Sequence, residues 1–228
     1  MKKPAVLFDL DGTLVDSLGD LAAAVNALLA ELGRTPLGAA AIAGMIGDGV
    51  AALVERALAA SGGPPAVGTA PLARFVALYE ADPTRLTRPY PGVAPVLASL
   101  AGAGVPMAVC TNKPEEVTHK VLDGLGLGGF FAVVLGGDSL PVKKPDPRFL
   151  SAALDRLGAA PDDAVMVGDH RNDVLAARAA GIKAIFARYG YGAASLGDLH
   201  PDAAIERFAE LPSAFRVIWP GAAPPIPL

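Results

Sequence analysis

Four carboxylates stand in two short clusters. Asp9 and Asp11 lie in the run Asp9-Leu10-Asp11-Gly12-Thr13-Leu14, and Asp169 and Asp173 lie in Gly168-Asp169-His170-Arg171-Asn172-Asp173. Between them come Thr111-Asn112-Lys113 and Lys143-Lys144-Pro145. Gathered together, the four acids repel one another, so the site needs a cation or must take up protons. A hard divalent ion with oxygen ligands meets that need. Mg²⁺ suits it because it takes few carboxylates and completes its octahedron with waters and phosphate oxygens. Acids, a metal, a lysine and a hydroxyl are what a phosphate monoester requires. The metal and Lys144 neutralise the dianion, Thr111 donates a hydrogen bond, and one carboxylate attacks phosphorus.

Gathering these residues is the task of the elements that precede them. Residues 5–8 are a continuous apolar run of the kind that forms a strand buried on both faces. Similar runs recur at 106–110, 132–135, 164–167 and 183–186, with helical patterns between the later ones. Strands alternating with helices predict an α/β fold with a Rossmann-like parallel sheet and crossover connections. Ligands of open parallel sheets bind at the carboxyl ends of strands, and every candidate residue follows a predicted strand. The segment 16–87 breaks the alternation. Leu18, Leu21, Ala22, Val25, Leu28, Leu29 and Leu32 follow a helical stripe that Gly33 ends. Val50, Leu53, Val54, Ala57 and Leu58 give a second stripe, and Leu72, Phe75, Val76 and Tyr79 a third. Residues 62–65 read as a loop and the Pro-rich tail 220–228 as irregular. The predicted organisation is a core of residues 1–15 and 88–228, with a small all-helical cap, 16–87, inserted after the first strand.

Composition sets limits on the partners. The 228 residues are 52% hydrophobic with a net charge of −4, which argues against a nucleic-acid binder. The single cysteine, Cys110, lies inside an apolar run and reads as a buried, inert thiol. The apolar run after the first lysines stops at Asp9, too early for a signal peptide. Residues 89–112 carry no charge and are long enough to span a membrane, but their prolines and glycines read better as helix, turn and strand. A soluble, cytoplasmic protein acting on a small phosphorylated metabolite is expected, with its oligomeric state open between monomer and homodimer.

With DLDGTLVDS at 9–17, VCTNK around Thr111, KKPDP at Lys144 and GDHRND at 168–173, the chain resembles the haloacid dehalogenase superfamily in its phosphatase branch. It looks closest to the bacterial phosphoglycolate phosphatases. The resemblance implies Asp9 as nucleophile and metal ligand, and Asp11 as general acid/base with its backbone carbonyl on the metal. It implies Asp169 as a direct ligand of Mg²⁺ and Asp173 as a supporting one. Thr111 and Lys144 would hold the phosphoryl group, and Asn112 would join them in binding the substrate. His170 departs from the serine usual in that family.

Other readings compete at several positions. Thr111-Asn112 would also suit an N-cap for the helix beginning near Pro114, and Asp173 a first-turn acid that complements a helix dipole. Asp16 and Ser17 read as a helix start, Asp48 in Gly47-Asp48-Gly49 as an N-cap or part of a substrate loop, and Lys143 as solvated. A glycolate carboxylate would find donors in Arg56 or, preferably, in the backbone amides after Gly49. Among functions, a phosphatase of another small metabolite such as a sugar phosphate, or a phosphomutase, shares the same core motifs. A dehalogenase would not need the Asp169/Asp173 pair. A phosphonate-cleaving Schiff base would need a cap lysine, and 16–87 contains none.

Overall fold

The computed structural model describes residues 4–63 and 69–219. The predicted loop at 62–65 falls partly, and the tail 220–228 wholly, outside the described residues. In chain order the strands are β1 (Ala5–Phe8), β2 (Val15–Asp16), β3 (Arg88–Pro89), β4 (Met107–Cys110), β5 (Val133–Leu135), β6 (Ala164–Gly168), β7 (Lys183–Ala187) and β8 (Ala203–Ile205). The helices are α1 (Leu18–Glu31), α2 (Ala39–Ala43), α3 (Val50–Ala60), α4 (Ala70–Glu80), α5 (Val93–Gly102), α6 (Glu115–Gly124), α7 (Pro147–Leu157), α8 (Arg171–Ala179) and α9 (Leu211–Ile218).

Six strands form one parallel sheet in the order β5-β4-β1-β6-β7-β8. The apolar runs become strands because both faces of the sheet are covered. Val6 and Phe8 join a core with Leu97, Phe208 and Phe215 on one side. Ala5 and Leu7 join Phe149, Leu150 and Leu154 on the other. From β1 the chain runs first to β4 on one flank and later to β6 on the other. The sheet therefore changes direction beside β1, and the crevice for a ligand opens at its carboxyl end. Cys110 is fully buried, and burial pushes its thiol up to about 12, which leaves it inert at neutral pH.

The chain leaves the sheet through a tight turn. Leu14 and Val15 donate to the Leu10 carbonyl, and Gly12 has φ +84°. A side chain at Gly12 would overlap the Asp169 carboxylate, so this turn needs glycine for both its conformation and its space. Helices α1 to α4 follow, with Leu21, Val25, Leu28 and Leu29 buried along α1 as the periodicity predicts. The exit and return of this helical segment are clasped together. β2 pairs antiparallel with β3, and buried Asp20 accepts from the Leu86 and Thr87 backbone amides and the Thr87 hydroxyl. The sequence reading found no strand here, since two residues are too few to show a period. It also missed β8, whose three residues Ala203-Ala204-Ile205 carry too weak an apolar signal. The uncharged stretch 89–112 is helix α5, a Gly104 turn and strand β4. Among the described residues no helix is long and apolar enough to cross a membrane.

Candidate active site

Strand β1 delivers Asp9, and strand β6 delivers Asp169 one residue beyond its end. Asp173 sits in the first turn of α8. The three carboxylates are buried and offer oxygens that all lie within 4.8 Å of one another. Each is held. Asp9 Oδ1 accepts from the Leu10 amide at 2.8 Å and lies 3.0 Å from Lys144 Nζ. Asp169 accepts from the Thr13 hydroxyl at 2.9 Å and the Gly192 amide at 3.0 Å. Asp173 accepts from the His170 amide and from Lys144 Nζ at 2.6 Å. Burial raises the Asp9 carboxyl and, reinforced by Asp9 and Asp173, pushes that of Asp169 up to about 8. Burial alone would pull the Lys144 ammonium down, but its ion pairs with Asp173 and Asp9 outweigh this and hold it firmly charged.

Of the two predicted lysine positions, Lys144 is buried at 2% exposure, while Lys143 is exposed and donates to the Asp48 carbonyl at 2.7 Å. Asn112 holds Lys144 in place. Its amide donates to the Lys144 carbonyl and accepts from the Lys144 N–H, both at 3.0 Å, and also donates to the Gly47 carbonyl. Asn112 therefore lines the cleft while its amide is spent on the protein itself. Thr111 lies at the end of β4, buried, and its hydroxyl accepts from the Lys113 amide at 3.3 Å. The N-cap of α6 is Pro114, so Thr111-Asn112 does not cap that helix.

Asp11 lies outside the three-acid cluster. Its carboxylate accepts from the Ser17 hydroxyl at 2.6 Å and from Lys113 Nζ at 3.0 and 2.9 Å. The Lys113 ammonium also donates to the Tyr79 hydroxyl of α4 at 2.6 Å and is 4% exposed. Ser17, Lys113 and Tyr79 escaped the sequence reading. Ser17 was read as a helix cap, but its side chain turns away from α1 toward Asp11. The Leu18 amide that opens α1 donates to the Asp16 carboxylate at 3.2 Å and to the Tyr191 hydroxyl at 3.0 Å, and that hydroxyl also takes the Ser17 N–H at 2.7 Å. Lys113 follows two predicted residues, and its position just beyond a strand end was the available signal.

The loop at Gly47-Asp48-Gly49 meets the core. Gly47 has φ +118°, and a side chain there would overlap the His170 ring. Asp48 is not an N-cap: Gly49 caps α3, and the Asp48 carboxylate accepts from Asn172 at 2.7 Å and from Arg56. Arg56 also reaches the Met45 carbonyl, so it braces this loop. Asp173 closes a reciprocal capping box with His170 at the start of α8 while bonding Lys144, so it serves helix and site together. Burial lowers the His170 imidazole, which keeps it neutral at physiological pH.

Residues 3–181 match the family model of haloacid dehalogenase-like hydrolases. The chain belongs to that family. It is 48% identical over 190 residues to phosphoglycolate phosphatase 1 of Pseudomonas aeruginosa, covering 82% of this chain and 70% of that protein. It is 45% identical over 213 residues to the phosphoglycolate phosphatase of Rhodospirillum rubrum, covering 91% and 88%. A crystal structure described as a predicted phosphoglycolate phosphatase from Haemophilus somnus aligns with a TM-score of 0.86 at 30% identity, over 92% of this chain and 97% of the other.

Within this haloacid dehalogenase-like frame, the acid cluster fits a divalent cation. All three side chains offer hard oxygen donors, they are close enough to share one ion, and burial makes their mutual repulsion costly without one. The Asp11 carboxylate is held by Ser17 and Lys113, apart from that cluster.

Proposed function

We propose that this chain is a phosphoric monoester hydrolase, a Mg²⁺-dependent phosphoglycolate phosphatase working through an aspartyl-phosphate on Asp9. The observation that carries the reading is the convergence of Asp9, Lys144 and Thr111 at one rim, with Asp11 two residues from the nucleophile. The names of the relatives at 45–48% identity supply the substrate.

Both bonds to Asp9 fall on Oδ1, so Oδ2 is the oxygen that attacks phosphorus in line. Lys144 and Thr111 bind the phosphoryl oxygens. Asn112, through its bonds to the Lys144 backbone, keeps that ammonium in place. Asp11 gives its proton to the departing glycolate oxygen as the P–O bond breaks. It then takes a proton from the water that attacks the phosphoaspartate, which restores Asp9 and releases phosphate. Ser17 and Lys113 orient Asp11 for both transfers. Asp9, Asp169 and the Asp11 carbonyl would hold Mg²⁺, with Asp173 in support, and the ion would offset the charge of the phosphate dianion. In this reading residues 16–87 act as a cap over the core of residues 1–15 and 88–228, and keep bulk solvent from the cleft during phosphoryl transfer to Asp9.

Phosphate release from 2-phosphoglycolate and sugar phosphates, beside halide release from 2-haloacids, with Mg²⁺ or excess chelator, tests the proposal. Fastest turnover of 2-phosphoglycolate, lost on chelation, supports it. Halide release that survives chelation, or a sugar phosphate turned over faster, overturns it.

A further inference from the structure

The cleft beside Asp9 is uneven in its chemistry. Toward the helical segment it is lined by Leu21, Ile46, Val50 and Leu53 with Gly47 and Gly49, none of which offers a polar side chain. Toward the core it is lined by Asp9, Asp11, Thr111, Asn112 and Lys113. Among these described lining residues Lys113 is the one cation. The Lys144 ammonium is shared between Asp9 and Asp173. An organic anion entering this cleft loses its water against an apolar wall, and a buried carboxylate without a partner is costly. The earlier candidate Arg56 is committed to Asp48 and the Met45 carbonyl, with its side chain 43% exposed.

From this we infer that Lys113 is the specificity-determining residue of the cleft, receiving the carboxylate of the leaving group and selecting phosphate esters of short hydroxy acids. The inference rests on the phosphatase reading above. An ammonium has three N–H donors. In the structure Asp11 takes Lys113 Nζ with both oxygens and the Tyr79 hydroxyl takes it from α4. If the two Asp11 oxygens share one donor, a third remains for a substrate oxygen. Tyr79 fixes the ammonium from the helical side, its ring 4.4 Å from Nζ. A sugar hydroxyl would meet Leu21, Ile46, Val50 and Leu53 with no side-chain partner, which disfavours polyols.

The test compares kcat/KM for 2-phosphoglycolate and for neutral-tailed ethyl phosphate, in the parent and in Lys113→Met. The parent should prefer 2-phosphoglycolate by at least about tenfold, the size of one charge-assisted contact. In Lys113→Met that preference should shrink to within about twofold, whatever loss the two substrates share. Lys113→Arg, which keeps the charge, should retain a clear preference. Equal falls for both substrates, with the preference intact, would make Lys113 a positioning residue for Asp11 only and overturn the inference. Should Lys113→Met fail to fold by circular dichroism, Lys113→Gln carries the same comparison with a polar, neutral head. A parent that hydrolyses neither ester would instead refute the phosphatase reading itself.

Discussion

The buried acid cluster makes metal binding depend on pH. Burial, with Asp9 and Asp173 nearby, pushes the Asp169 carboxyl up to about 8. A cation must displace that proton before Asp169 can ligate it. With a pKa of about 8, half of Asp169 is ionised at pH 8 and roughly one part in a hundred at pH 6. The Mg²⁺ dissociation constant should therefore be roughly fifty-fold larger at pH 6 than at pH 8, a difference of about 2.3 kcal/mol. The same shift acts on stability. The unfolded carboxyl titrates near 3.8 and the folded one near 8, so its contribution is complete below the lower value and is lost as pH rises through the upper. Without metal, the melting temperature should fall between pH 5 and pH 8, and Mg²⁺ should recover more of it at pH 8 than at pH 6. Isothermal titration at pH 6, 7 and 8, beside thermal melts, measures both effects. Affinity constant within threefold across that range, with a metal-free melting temperature that does not fall, would refute the argument from Asp169.

Asp9→Asn, nearly isosteric, should leave the melt and circular dichroism native while phosphate release drops below about a thousandth of the parent. Ser17→Ala removes a 2.6 Å bond from Asp11 and should lower kcat about tenfold with little change in KM, measured by steady-state kinetics. Gly49 has φ +93°, and an added Cβ would press on the Asn112 carbonyl and Lys143 Nζ, at 3.0 and 3.1 Å. Gly49→Val should therefore cut kcat/KM for 2-phosphoglycolate at least about tenfold, measured by steady-state kinetics.

The sheet was legible because strands buried on both faces leave unbroken apolar runs, such as Ala5-Val6-Leu7-Phe8. Asp9 and Asp169 were legible because each directly follows a strand, while Asp11, Asp173 and Lys144 were legible from the motifs that carry them. What escaped depends on packing between distant segments. Tyr79 meets Lys113 only because α4 folds back over the crevice, 34 residues earlier in the chain. Ser17 does stand at the N-cap of α1, as its place before a helical stripe suggests, but its hydroxyl turns to Asp11 and Tyr191, remote in sequence, takes the amides there. Asp48 read as either a cap or part of a substrate loop, and Asn172 and Arg56, remote in sequence, claim its carboxylate. Asn112 was placed on the substrate by its neighbour Thr111, whereas its amide is taken by Lys144 and Gly47. The β2–β3 ribbon and β8 are too short to carry a period, and their pairing comes from the strands beside them.

The central claim is a covalent phosphoaspartate at position 9. Borohydride added during turnover of 2-phosphoglycolate reduces an acyl phosphate to an alcohol, which converts that aspartate to homoserine. Peptide mass analysis should find homoserine at Asp9, dependent on both substrate and Mg²⁺. Homoserine at another acid, or none in an enzyme that is turning over, would contradict the account.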